Sequence, residues 1–92
     1  MKLYTITRTS LPGWDTYDSA VVAAYNKEEA RNMHPNGDIW VTRGYYTDGI
    51  VDGRYNSLDT WVEPENVIVE YIGEASKTIK KPCVIVSSYN AG

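Results

Sequence analysis

The sequence contains no phenylalanine, one cysteine and one histidine, and no apolar run in it is long enough to cross a membrane. A single cysteine, Cys83, cannot form an intramolecular disulfide, which is typical of proteins in a reducing cytoplasm. Because the first residues alternate like a strand, we expect no signal peptide, a cytoplasmic location and no membrane partner. His34 and Cys83 together offer too few ligands for a zinc site of the usual kind.

The motifs of common enzyme classes are also missing. No glycine-rich phosphate loop or nucleophile elbow occurs, and the central aspartates do not have the spacing of a calcium loop. A triad of Ser87 or Ser88 with His34 and an aspartate can be drawn, but nothing in the local sequence constrains it. We therefore expect a protein that is not an enzyme and that holds no cofactor and no metal.

Basic residues are in the minority, and the acidic ones are unevenly placed. The chain has 12 acidic and 9 basic residues, for a net charge of −3. Such a balance argues against direct, sequence-specific nucleic-acid binding, which requires a basic stripe. Residues 47–76 hold a single base, Arg54, against seven acids: Asp48, Asp52, Asp59, Glu63, Glu65, Glu70 and Glu74. This region could attract a basic partner or simply form a solvated face that keeps the protein soluble.

The aromatic residues are eight tyrosines and three tryptophans. Rings with a polar tip suit a wet, specific contact surface, and Tyr and Arg dominate binding hot spots. Five of these rings lie among turn-forming residues at about 40–61, where we expect a loop or hairpin that contacts a partner. The predicted partner-binding residues are Tyr45, Tyr46, Asp48, Asp52, Arg54, Tyr55, Asn56 and Asp59. The alternative is that Trp40 and Trp61, with one of the paired tyrosines, fill the core.

The first half of the chain predicts a hairpin followed by a helix. Residues 2–9 and 17–25 have the composition of two antiparallel strands. Asn26 is a good N-cap, and Glu29, three residues later, can complete a capping box. The helix should stop near His34, since Pro35 disfavours helical geometry in the residue before it. The charge of His34 would then suit the helix dipole.

The second half predicts three further strands, over residues 38–46, 66–72 and 83–89. In the strand at 66–72, Val67, Val69 and Tyr71 should share one face, and the apolar neighbours of Cys83 indicate a buried thiol. The whole chain, 1–92, is expected to form a single small α+β domain. Its sheet should be antiparallel, with four to five short strands and one short helix packed on one face. The other face is either covered by the aromatic segment or left for a partner.

Seven segments of the chain look familiar together: Thr7–Thr9, Tyr17–Ser19, Val21–Ala24, Glu28–Arg31, His34-Pro35, Ile72–Ala75 and Val84–Gly92. Their pattern resembles a group of small bacteriophage accessory proteins of about this length. The resemblance covers the two ends of the chain well and residues 38–60 hardly at all. It implies a shared fold, with 40–61 as the variable element, and it marks no functional residues. Small acidic phage proteins of this kind include anti-CRISPR inhibitors of type I surveillance complexes, type I-F among them.

What the resemblance implies is a non-enzymatic, phage-encoded inhibitor that binds Cas proteins in the infected host and blocks target DNA. The expected partner is thus a host protein complex with a basic nucleic-acid channel, which the acidic segment would face. One alternative is a sponge for a nucleotide immune signal, with rings stacked on a base and Arg8, Arg43 or Arg54 on its phosphates. Another is a virion accessory protein.

Overall fold

Four antiparallel strands make the main sheet of the computed structural model, which describes residues 1–10, 16–41, 45–47 and 60–90. Strands β1 (Lys2–Arg8) and β2 (Thr16–Ala24) form the central hairpin. Strand β5 (Val67–Glu74) pairs with β1 and strand β6 (Cys83–Asn90) with β2, so the spatial order is β5-β1-β2-β6. The predicted α+β class, with an antiparallel sheet and one short helix, is confirmed.

One face of the sheet carries the core because its inward positions are apolar along three successive strands. In β5, Val67 and Val69 are buried while Ile68 and Glu70 are exposed, which confirms the predicted alternation. Tyr71 lies opposite buried Tyr4, and the two rings meet edge to face with centroids 6.0 Å apart. The core consists of Tyr4, Ile6, Ala20, Val22, Ala24, Ala30, Met33, Trp61, Val67 and Val69.

Helix α1 (Lys27–Arg31) covers this face and begins at the predicted cap. The Asn26 side chain accepts a hydrogen bond from the Glu29 amide at 2.8 Å, and the Glu29 carboxylate accepts one from the Tyr25 amide at 2.7 Å. The helix ends at Arg31, one turn earlier than the position before Pro35 that the sequence indicates. Ala30 is its buried residue, so packing on the sheet stabilises this single turn.

Residues 38–46 do not form the single edge strand that the sequence predicts. Two three-residue strands, β3 (Ile39–Val41) and β4 (Tyr45–Thr47), pair with each other in a separate antiparallel hairpin. This hairpin joins the main body through a bridge between Met33 and Ile39 and a 2.8 Å bond from the Trp40 amide to the Asn32 carbonyl. The backbone groups of β3 and β4 therefore pair with each other beside α1 and not with the main four-stranded sheet.

A 3-10 helix at Pro64–Asn66 leads into β5, and the connection after β5 leads to β6 on the far edge. The thiol of Cys83 is half-buried there, so the expectation of a buried thiol is wrong. An edge strand lacks a neighbour on one side, which leaves its side chains partly open to solvent. No helix among the described residues is long and apolar enough to span a membrane.

Candidate functional site

The predicted partner-binding residues fall on the β3–β4 hairpin and on the segment that follows it. Tyr45 and Tyr46 lie in β4, where Tyr45 pairs with Val41 and Tyr46 with Trp40. The hairpin therefore places the backbone of two predicted contact residues next to β3. The remaining six, Asp48, Asp52, Arg54, Tyr55, Asn56 and Asp59, lie outside the described residues.

Thr60 is held on the sheet and on the loop after α1. The Thr60 carbonyl accepts a 2.9 Å hydrogen bond from the Tyr17 amide at the start of β2. Its hydroxyl lies 3.1 Å from Nε2 of His34. Trp61 follows and is almost fully buried in the core, as the structural alternative for this residue predicts.

His34 is a structural residue that closes the loop between α1 and β3. Its ring is fully buried, and Nδ1 accepts a hydrogen bond from the Asn36 amide at 3.0 Å. Because an amide can only donate, Nδ1 carries no proton, and Nε2 of the neutral ring donates to Thr60. The expectation of a charged histidine at the helix end is therefore wrong.

The triad that can be drawn from the sequence does not assemble. Ser88 donates to Asp18 Oδ2 at 3.3 Å, whereas His34 is bonded to Thr60. In the part of the chain that the structure describes, no three His, Cys, Asp or Glu residues are grouped to hold a metal ion.

The feature that stands out chemically is Trp40, which is half-buried and lies between two acidic depressions. On one side Trp40, Glu63, Pro64 and Glu65 line a pocket of about 220 Å³. Both carboxylates are exposed, as the sequence predicts for acids that flank a proline. We name these four residues the acidic pocket.

On its other side Trp40 lines a larger groove of about 590 Å³ between α1, β3 and the residues that precede β6. Glu28 and Glu29 line this groove from helix α1, and Lys81 lines it as well. One oxygen of the Glu29 carboxylate already accepts a hydrogen bond from the Tyr25 amide. Trp40 thus separates two depressions that each carry two carboxylates.

Arg31 fixes the acidic pocket without neutralising it. Its guanidinium donates to the backbone carbonyls of Val67 and Pro64, which anchors the 3-10 helix to α1. Between described residues, neither Glu63 nor Glu65 forms an ion pair, so both charges face solvent. The pocket is a negatively charged site next to an indole ring.

Glu63 and Glu65 were not among the predicted contact residues, and the sequence carries only a weak signal for them. They belong to the acidic segment 47–76, but Trp40 lies more than 20 positions earlier in the chain. Only the path of the chain through β3, Thr60 and Trp61 brings the indole ring to the carboxylates.

One titratable group at the far end of β5 is clearly perturbed. The Tyr71 hydroxyl donates to Glu74 at 3.0 Å. This hydrogen bond raises the pKa of the Tyr71 phenol above its usual value of 10.0, and desolvation and the charge of Glu74 add to the effect. Lys2 lies 5.9 Å from the centre of the same ring. The Tyr71–Glu74 pair lies at the opposite end of β5 from the acidic pocket and forms part of the β5 edge.

The chain matches no known protein family, no curated protein and no solved structure with significant similarity. The interpretation of the site therefore depends on its own geometry and charge.

Proposed function

We propose that this protein is a non-enzymatic inhibitor that binds a host protein complex and occupies its basic nucleic-acid channel. In the specific form that the sequence resemblance implies, it is a phage-encoded anti-CRISPR protein. It would bind the Cas subunits of a type I surveillance complex in the cytoplasm of the infected bacterium and block binding of target DNA.

The observation that carries this proposal is the position of Trp40 between two pairs of carboxylates, Glu63 and Glu65 on one side and Glu28 and Glu29 on the other. An exposed carboxylate pair beside an indole ring suits a lysine or arginine side chain. The carboxylates attract the cation, and the ring face accepts it through a cation–π contact. Channels that hold DNA phosphates are lined with such cations.

The net charge of −3 sets a limit on the mechanism. A chain with so little excess charge cannot reproduce the phosphate density of a DNA duplex. Carboxylates therefore contribute orientation and a faster approach to the partner, while the bulk of the domain blocks the channel sterically. Binding should consequently weaken with added salt, though less steeply than DNA binding does.

The geometry fits the alternative of a nucleotide sponge less well. The 590 Å³ groove is large enough for a nucleotide, but Glu28 and Glu29 outnumber Lys81 among its lining residues, which disfavours phosphates. Of the arginines proposed for phosphate binding, Arg8 donates to Ser10 and to the Tyr17 carbonyl. Arg43 and Arg54 lie outside the described residues.

A gel-shift assay with a purified type I surveillance complex and its target duplex tests the proposal. The wild-type protein should prevent the complex from binding the duplex. Glu63→Lys/Glu65→Lys should raise the inhibitor concentration required by about tenfold or more, because it would place like charges against the channel. The matched control, Glu70→Lys/Glu74→Lys, changes the net charge equally at exposed positions of β5 and should inhibit almost normally.

Two results would count against the proposal. Unimpaired DNA binding in the presence of excess wild-type protein would remove the proposed target. Equal loss of inhibition in the pocket variant and the control would show that net charge matters and that the acidic pocket does not. Small molecules released on heating the purified protein would instead favour the sponge.

A further inference from the structure

Strand β6 is the least covered element of the sheet. Helix α1 packs chiefly on β5, β2 and β1, and the apolar residue of β6 that packs against the core is the half-buried Val84. Five consecutive residues, Ile85–Tyr89, are exposed. A register shift leaves Ile85 without a partner on β2, so the regular alternation of a strand is interrupted there, and side chains on both faces of β6 are exposed.

The composition of β6 makes this exposure unusual. The eight residues Cys83–Asn90 include no charged residue and no proline. The side chains of Ile85 and Val86 are 46% and 58% exposed, respectively. Natural edge strands are generally protected by a lysine, a proline, another charge or a bulge. Of these devices β6 has only the register shift at Ile85, where the strand skips one residue in its pairing with β2. Within the described part of the chain, β6 pairs with β2 alone, so its outer backbone groups point away from the sheet.

The opposite edge of the sheet is protected in the ordinary way. Strand β5 carries exposed carboxylates at Glu70 and Glu74, and it follows Glu65 in the 3-10 helix. Two β5 strands placed side by side would bring these like charges together, which is unfavourable. The two edges therefore differ in whether they permit self-pairing.

We propose that β6 is a self-association interface, in which the β6 strands of two copies of this chain pair antiparallel about a two-fold axis. The pairing joins two four-stranded sheets into one continuous sheet of eight strands. It satisfies the outer backbone groups of both β6 strands and places their exposed aliphatic side chains next to each other.

The charge pattern favours a second copy over a different protein. A two-fold axis sets each residue near its own symmetry mate, so a strand that pairs with itself must avoid charge near its centre. Strand β6 meets this condition throughout its length. An uncharged strand offers nothing to steer a basic partner, which distinguishes it from the acidic pocket.

Analytical ultracentrifugation of the full chain over a range of concentrations tests the inference with a matched pair of variants. Ile85 on β6 and Ile68 on β5 are the same residue with nearly equal exposure, 46% and 45%. The wild type should be dimeric. Ile85→Lys should raise the dimer dissociation constant at least about tenfold, since it puts two ammonium groups near the axis. Ile68→Lys should remain as dimeric as the wild type.

A wild-type protein that is monomeric at every concentration overturns the proposal, as does a dimer that both variants weaken equally. Because both isoleucines are already exposed, neither substitution should unfold the domain. Far-UV circular dichroism of each variant confirms this. If Ile85→Lys nevertheless loses structure, Val86→Thr replaces it, a milder change at the most exposed large apolar side chain of the strand. Failure of Val86→Thr to weaken the dimer then contradicts the proposal.

Discussion

Strands β5 and β6 occupy opposite edges of one sheet and are both eight residues long. Two residues of β5 are buried under helix α1, and its exposed face carries carboxylates. Strand β6 has no fully buried residue and no charge. The difference teaches that the core of this small domain is asymmetric. Stability is concentrated at β5, β1 and β2, whereas β6 is available for another role.

The largest expected effect tests where the stability is located. Trp61 is 2% exposed and packs in the centre of the core, so Trp61→Ala should lower the free energy of unfolding by about 3–5 kcal/mol. The contrasting change on β6, Val86→Ala, should cost no more than about 0.5 kcal/mol per folded chain. Urea denaturation of monomeric samples measures both. Similar costs at the two positions would show that β6 is part of the core after all.

A smaller effect is expected at His34, whose buried ring bonds both Asn36 and Thr60. His34→Leu removes the partners of the Asn36 amide and the Thr60 hydroxyl, and should cost about 2 kcal/mol. Thr60→Val removes the hydroxyl that meets Nε2 and should cost about 1 kcal/mol. Thermal denaturation can rank the two variants. A histidine variant as stable as the wild type would contradict the structural role of the buried ring.

The smallest expected effect concerns Tyr71 at the charged edge. Its pKa is raised in the folded state, so folding favours the protonated phenol. This contribution to stability is fully present below pH 10.0, the usual pKa, and is lost as the pH rises through the higher folded value. Stability measured across this alkaline range should therefore fall more in the wild type than in Tyr71→Phe.

The matched variant Glu74→Gln removes the carboxylate that holds the Tyr71 proton. Phenolate absorbance during an alkaline titration should show one tyrosine that ionises at lower pH in this variant than in the wild type. Identical titration curves would mean that the Tyr71–Glu74 hydrogen bond does not persist in solution.

Local sequence rules predicted those parts of the fold that local chemistry determines. The Asn26 cap depends on residues three positions apart, and the alternation at Val67 and Val69 depends on the period of a strand. Both were confirmed. The central hairpin followed from two neighbouring apolar strands and was also confirmed.

What the sequence could not predict depends on contacts between distant residues. The strand expected over residues 38–46 is a hairpin because β3 docks beside α1, through the Asn32 carbonyl and Met33. The role of His34 depends on Thr60, 26 positions later. The same applies to the acidic pocket, since no local pattern places Trp40 beside Glu63. Of the predicted contact residues, the structure describes only the backbone of Tyr45 and Tyr46.

The central claim is that the protein works by binding through the surface around Trp40 and the acidic pocket. Hydrogen–deuterium exchange of the chain, free and bound to a purified type I surveillance complex, tests this most directly. The account predicts slower exchange on binding at the amides of β3 and of residues 60–66, with little change along β5 beyond Glu70. A complex that fails to form, or one that protects other segments and leaves β3 and residues 60–66 unchanged, would contradict the account.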